Sequence, residues 1–233
     1  KKEIDAPLYC TVLHSKNKGY AHAINTGITE AITQGFTSYF VMNSDVILDP
    51  RFVEIAKNSL ETHEQSIIGG KIFYAPGFEY HKDRYASNQI GKVLWYAGGK
   101  NDWNNVLTPH RGVDEVDNGQ FNIFEETDFI TGCLMIFDKK VIDKIGYWDE
   151  SYFMYFEDSD YCERAKRQDI PLYYDPQIVM YHKNAQSIGG AGSTTHFRTQ
   201  LFSQLKFAFR YAPLRTKLHV LKNFAVSFLT KHR

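Results

Sequence analysis

Tyr20, Ala23, Ile24, Gly27, Ile28, Ala31 and Ile32 recur at helical spacing between two short apolar runs, and this alternation limits the folds open to the chain. The spacing predicts an amphipathic helix that Gly35 stops. Before it, Leu8 to His14 suits a strand, broken by Ser15-Lys16-Asn17-Lys18-Gly19. After it, Tyr39 to Met42 suits a buried strand that runs into the polar turn Asn43-Ser44-Asp45. Strand, helix, strand predicts a parallel pair and an α/β fold. In open α/β sheets the ligand sits beyond the carboxyl ends of the strands, where Asn17 and Asp45 would both lie.

The pattern continues. Asp49 as N-cap and Pro50 at the first helical position predict a helix whose apolar face is Phe52, Ile55, Ala56 and Leu60. Strands are expected at Ile67 to Tyr74, Lys92 to Ala97 and Phe129 to Phe137, the last containing Gly132, where a backbone can approach a ligand closely. Asp138 to Gly146 reads as a short capped helix. Leu172-Tyr173-Tyr174 and Ile178 to His182 read as two short strands around Asp175-Pro176. Gly189-Gly190-Ala191-Gly192-Ser193 reads as a flexible link to a helical tail, so that residues 1–196 form the main domain and 197–233 the tail.

One stretch carries unusual chemistry. In Phe153-Met154-Tyr155-Phe156-Glu157-Asp158-Ser159-Asp160-Tyr161-Cys162-Glu163-Arg164, an aromatic run meets four carboxylates and an arginine. The aromatics should be partly buried and carry Glu157 and Asp158 toward an apolar wall, where loss of water raises a carboxylate pKa and favours proton acceptance. Asp160 and Arg164, four apart, share a helix face, so Glu157 and Asp158 fall at or just before a helix N-terminus. A capped helix with ordinary ion pairs would read the same way.

Composition excludes several classes. With 43% hydrophobic and 15% aromatic residues in 233, the chain can bury a substantial core and is not disordered. Three well-separated cysteines, Cys10, Cys133 and Cys162, form no C-x-x-C pair and fit a reducing compartment. No signal-peptide pattern or membrane-length apolar run is present, which predicts a cytoplasmic protein, soluble or peripheral on the inner face of the membrane. The zero net charge hides a split: nine of the 27 basic residues and none of the 27 acidic ones lie after Asp175. An anionic surface is the natural partner for such a tail, yet the tail lacks the glycines and motifs of nucleic-acid-binding modules. From Phe197 onward, Leu201, Leu205, Phe209, Leu214, Leu218, Leu221 and Phe228 stand among lysines and arginines, with Pro213 dividing two helices. Their apolar face either lies on an anionic membrane or packs on the main domain or a second copy.

The ordered series Asn17-x-Gly19-x-x-x-Ala23-x-Asn25-x-Gly27, Asn43-Ser44-Asp45, Thr131-Gly132-Cys133, Ile145-Gly146-Tyr147-Trp148-Asp149-Glu150-x-Tyr152-Phe153, Glu157-Asp158-x-Asp160-x-x-x-Arg164 and His182 resembles the family 2 glycosyltransferases, nearest to rhamnosyltransferase-like members. The resemblance implies a GT-A fold (Rossmann-like, a mostly parallel sheet with flanking helices) followed here by the helical tail. It also implies an inverting mechanism, a nucleotide diphosphate sugar donor such as a UDP- or dTDP-sugar, and a saccharide or lipid-linked acceptor, as in cell-surface polysaccharide synthesis. By the same resemblance Asp158 is the base, with Glu157 beside it. Asn17, Gly19, Asn25, Asn43 and Asp45 face the nucleotide sugar, and Gly132, Trp148 and Asp149 the acceptor. The metal, Mn2+ or Mg2+, falls to Asp45 and His182, an imidazole ligand favouring Mn2+; the alternative for His182 is a histidine satisfied by a backbone carbonyl.

The chain departs from the family pattern twice. The aspartate-x-aspartate motif is Asn43-Ser44-Asp45 here, which leaves one carboxylate for metal. Family members also open with a strand, helix and strand that build the pocket for the base, and this chain begins after that point. The expectation is that it holds most catalytic and acceptor residues and part of the donor site. Two other classes remain: a noncatalytic carbohydrate-binding or scaffold module, and a sugar nucleotidyltransferase, for which no glycine-rich basic loop is visible.

Overall fold

The structure is a computed structural model that describes residues 10–183 and 194–230, with side chains for 10–183 and 199–222. Its elements in chain order are α1 (Tyr20–Thr33), β1 (Ser38–Met42), β2 (Val46–Leu48), α2 (Phe52–Thr62), β3 (Ile67–Tyr74), β4 (Leu94–Tyr96), β5 (Glu125–Glu126), β6 (Leu134–Asp138), α3 (Lys139–Ile145), α4 (Glu157–Lys166), β7 (Leu172–His182), α5 (Thr194–Tyr211) and α6 (Leu214–Thr230). The strands form one sheet in the order β1-β6-β3-β7-β2, with β4 joined to β3 and β5 to β7.

Every residue of β3 is buried. Its neighbour β7 runs parallel to it from Ile67↔Leu172 to Tyr74↔His182, whereas the other described pairings are antiparallel. The α/β fold stands, and the sheet is mixed rather than mostly parallel. Parallel strands need a long crossover, which the segment from β3 to β7 supplies, while β6 lies against both β1 and β3 in the opposite sense. The close approach of β3 and β7 depends on Gly70, where a Cβ would stand 2.3 Å from the Ile178 carbonyl oxygen.

Several expected boundaries move, each for a local reason. Cys10 to His14 form no strand and are largely exposed, with no ladder partner among the described residues to take their backbone groups; Leu8 and Tyr9 lie outside those residues. Helix α2 begins at Phe52, because Asp49 accepts the Arg51 N–H (2.9 Å) in a turn that comes before the helix. Strand β6 begins at Leu134, not Phe129, since the chain turns at Thr131–Cys133 and sends the Gly132 N–H elsewhere. The two short strands around Asp175-Pro176 are one strand, β7, with a bulge: the register passes from Gly70↔Asp175 to Lys71↔Val179. Asp175 holds the bulge by accepting from Gln177 N (2.9 Å) and Ser59 Oγ (2.7 Å). Helix α3 is capped as expected, with Asp138 accepting from Val141 N.

The main core lies between the sheet, α1, α2 and α4; a second joins α5 and α6 to the segments around Val106, Tyr152 and Phe156. The Phe207 ring is 5.7 Å from Trp103 and 5.3 Å from Phe156. The buried side of the helix pair is Phe207, Ala208, Ala212, Thr216 and Val220, while Phe209, Leu214, Leu218 and Leu221 are exposed. The helix pair therefore both packs on the main domain and keeps an outward apolar stripe. The side chains of Phe197 and Phe228, and the link Gly189 to Ser193, lie outside the described residues. Among those described, no helix is long and apolar enough to cross a membrane.

Candidate active site

Strands β1 and β7 end side by side, because β2 pairs antiparallel with β7 in the register Val46↔His182 and so returns Asp45 to the β7 end. His182 Nε2 lies 3.3 Å from Asp45 Oδ1 and 3.4 Å from Asn43 Nδ2. Burial lowers the His182 pKa while Asp45 pulls it up, with burial prevailing, so the ring is biased toward the neutral form a metal ligand requires. Trp95 meets it edge to face at 4.6 Å. Among the described residues no group of three or more His, Cys, Asp or Glu is arranged for a metal. What exists is one carboxylate oxygen beside one neutral imidazole nitrogen. That pair fits a divalent cation whose remaining ligands are phosphate and water.

Across from this pair stands the first turn of α4. Asp158 is half-buried; Gly132 N donates to its Oδ2 (2.9 Å) and Ser159 N to its Oδ1 (2.8 Å). Burial raises its pKa, and these backbone N–H groups oppose the rise. Glu157 is buried, its Oε2 has no hydrogen-bond partner, and burial together with the adjacent Asp158 charge pushes its pKa up to about 8. Asp158 is therefore the better-supported anion and Glu157 the group that keeps its proton. Of the aromatic run, Phe156 is buried and Tyr155 half-buried while Phe153 is exposed, so only part of the expected wall forms; the Asp160–Arg164 pair forms at 2.9 Å.

Tyr20 joins the two halves. Its hydroxyl lies 2.8 Å from the Gly132 carbonyl and 3.0 Å from Asn43 Oδ1, linking the β1 end to the turn that holds Asp158. Asn43 thus accepts from a phenol and turns its amide toward His182, a dual role that an aspartate could not fill. The sequence showed Tyr20 only as an apolar helix position and did not single out Trp95; Cys133 of the Thr131-Gly132-Cys133 motif is buried, and its backbone carbonyl accepts from Asn43 N (3.2 Å).

Other expected residues sit differently. Asn25 is buried: its Nδ2 donates to Trp148 O (2.9 Å) and Glu150 Oε1 (3.0 Å), and its Oδ1 accepts from Trp148 N (3.0 Å). With both ends of its amide used, Asn25 locks the loop after α3. Gly19 (φ 106°) is required by the Phe153 backbone, whose oxygen would be 2.3 Å from a Cβ there. Asn17 is exposed and accepts from Gly19 N at 3.2 Å. Trp148 is buried and stacks on Tyr161 at 5.0 Å, behind Gly132 and Asp158. Asp149 points to α5, where Arg210 Nη1 is 2.7 Å away. A cavity of about 800 Å³ near Lys100, Arg111 and Asp169 lies at the Leu172 end of β7, away from His182 and this chemistry.

The chain is 23% identical over 157 residues to "Low-salt glycan biosynthesis hexosyltransferase Agl10" of Haloferax volcanii, a match covering 67% of this chain and 46% of that protein. The chain thus spans about half the length of this relative. A crystal structure of GalNAc-T7 with UDP, GalNAc and Mn2+ superposes with a TM-score of 0.59 at 10% identity, covering 84% of this chain and 35% of that one, and shows a shared GT-A fold. Residues 3–146 match the family described as Glycosyl transferase family 2. Since that match takes in more than half of the chain, the protein belongs to glycosyl transferase family 2.

Proposed function

We propose that the chain is the catalytic part of an inverting glycosyltransferase that moves a hexosyl or rhamnosyl group from a UDP- or dTDP-sugar to a hydroxyl of a saccharide or lipid-linked acceptor. The observation that carries this is the placement of Asp158, held by the Gly132 N–H and joined through Tyr20 to the Asn43, Asp45 and His182 cluster. In the reaction, the acceptor hydroxyl attacks the anomeric carbon from the face opposite the diphosphate and passes its proton to Asp158. Glu157, protonated, keeps a second negative charge away from that carboxylate. Asp45 and His182 would hold Mn2+ or Mg2+, which neutralises charge developing on the leaving diphosphate. The Mn2+ and UDP of the GalNAc-T7 structure support this choice by fold analogy.

A lipid-linked acceptor in polysaccharide assembly would suit peripheral binding at the cytoplasmic face of a membrane, supported by exposed Leu214, Leu218 and Leu221 beside Arg215 and Lys222. The test is a panel of UDP-, dTDP- and GDP-sugars incubated with the protein, with Mn2+ or with a chelator. Metal-dependent release of nucleotide from one donor is expected. Absence of turnover with every donor counts against a transferase.

A further inference from the structure

Two adjacent non-glycine residues, Tyr155 (φ 67°) and Phe156 (φ 67°), stand in the left-handed region immediately before Glu157 and Asp158. L side chains keep that conformation only where the surroundings hold it, and no side chain caps α4 at Phe156. The holding groups come from far along the chain. Tyr20 N donates to Phe153 O (3.0 Å) on one side; on the other, α5 supplies Ser203 Oγ to Met154 O (2.9 Å) and the Phe207 ring against Phe156. Arg210 Nη1 then bridges Asp160 Oδ1 (2.6 Å) and Asp149 Oδ2 (2.7 Å), and the Tyr211 hydroxyl donates to Asp160 Oδ1 (2.7 Å).

We propose that α5 is a positioning element of the active site: through Arg210 on Asp160 and Asp149 it holds the strained turn and the first turn of α4, and so sets the aim of Asp158. This rests on Asp158 being the base. Asp160 is fully buried on the same helical turn as Asp158, so its carboxylate cannot exchange Arg210 for water, and Arg164 alone ties it only to its own helix and to the loop after α3. Arg210 is the cation that joins this turn to α5. Burial works against the charged guanidinium, but the hydrogen bonds it donates to Asp149 and Asp160 outweigh that effect and hold it further toward the charged form. The Gly132 N–H to Asp158 hydrogen bond reports the aim directly.

The experiment compares the parent chain with Arg210→Ala, Arg210→Lys and Asp158→Asn by amide hydrogen exchange, by UDP–Mn2+ calorimetry and by kcat and KM on whichever UDP-, dTDP- or GDP-sugar the parent turns over. For Arg210→Ala we expect exchange at Gly132 and in the first turn of α4 to speed by about tenfold with β3 unchanged. We expect kcat to fall about 10- to 100-fold while UDP affinity and donor KM stay within about twofold. Arg210→Lys, which keeps the charge but not the planar guanidinium whose Nη1 meets both carboxylates, should recover part of both losses. The proposal is overturned if kcat and Gly132 exchange match the parent, or if β3 exchange speeds up and UDP binding weakens in step with the loss of kcat, as for a merely structural residue. If Asp158→Asn turns over at the parent rate, the base assignment fails, and Gly132 exchange alone then decides whether α5 holds the turn.

Discussion

Burial raises the pKa of both Glu157 and Asp158, and backbone N–H groups oppose the rise at Asp158, so backbone geometry makes the difference between the neighbours. Asp158 takes two N–H groups and is half-buried; Glu157 is buried with an unpartnered oxygen. Asp158→Asn keeps the size and most hydrogen bonding but removes basicity, so transfer should fall by about two to four orders of magnitude with nucleotide affinity kept. Glu157→Gln should be milder because the glutamine mimics the protonated acid. Rates at saturating donor and acceptor measure both, and a dead Glu157→Gln beside an active Asp158→Asn would reverse the roles. For the metal, Asp45→Ala and His182→Ala should each weaken nucleotide binding about tenfold or more in Mn2+ and little in chelator. Titration of UDP or dTDP under both conditions decides it, and equal affinity with and without Mn2+ in the parent removes the metal assignment.

Among the elements, α1 shows how a motif can be legible in sequence and yet do a different job. Its helical spacing, its start at Tyr20 and its stop near Gly35 follow from apolar periodicity, and all are observed. Gly19 and Asn25 were read as nucleotide contacts, but they receive the backbone of a segment more than 100 residues later, at Phe153 and Trp148. One-dimensional spacing cannot show which chain arrives at a helix face. Gly19→Ala meets both a positive φ and a 2.3 Å contact with the Phe153 oxygen, so it should destabilise the fold by about 2 kcal/mol or more. Urea unfolding measures the loss, and a change under about 0.5 kcal/mol would mean that the 153 segment moves freely.

For the whole molecule, folding holds the Glu157 proton more tightly than the unfolded chain does, because its pKa rises to about 8. The stability linked to that proton is full below the ordinary glutamate pKa and is lost as pH rises through about 8. The urea midpoint should therefore drop between about pH 5 and pH 9, and drop less in Glu157→Gln. An equal drop in both places the titration elsewhere. At the surface, exposed Leu214, Leu218 and Leu221 with Arg215 and Lys222 should bring the protein down with anionic vesicles and not neutral ones. Leu218→Ser with Leu221→Ser should release it, since neither side chain is in the buried core; equal sedimentation with both vesicle types would leave the stripe to a protein partner.

Sequence alone determined the alternation of helices and strands from α1 onward, the strand β3, the capped α3, the acidic first turn of α4 and the Asp160–Arg164 pair. Each is set within a few residues by periodicity, capping and spacing. The ordered motifs likewise placed Asp45, His182 and Asp158 in one family pattern. Only the tertiary structure decided that Tyr20 joins Asn43 to Gly132, that Asn25 serves a loop, that the sheet is mixed, and that α5 grips the turn before the base. These are contacts between residues 50 or more positions apart in several cases, set by which buried polar group finds a partner as the elements pack. No local pattern encodes such a pairing, because the energy that selects it exists only once both surfaces have left water.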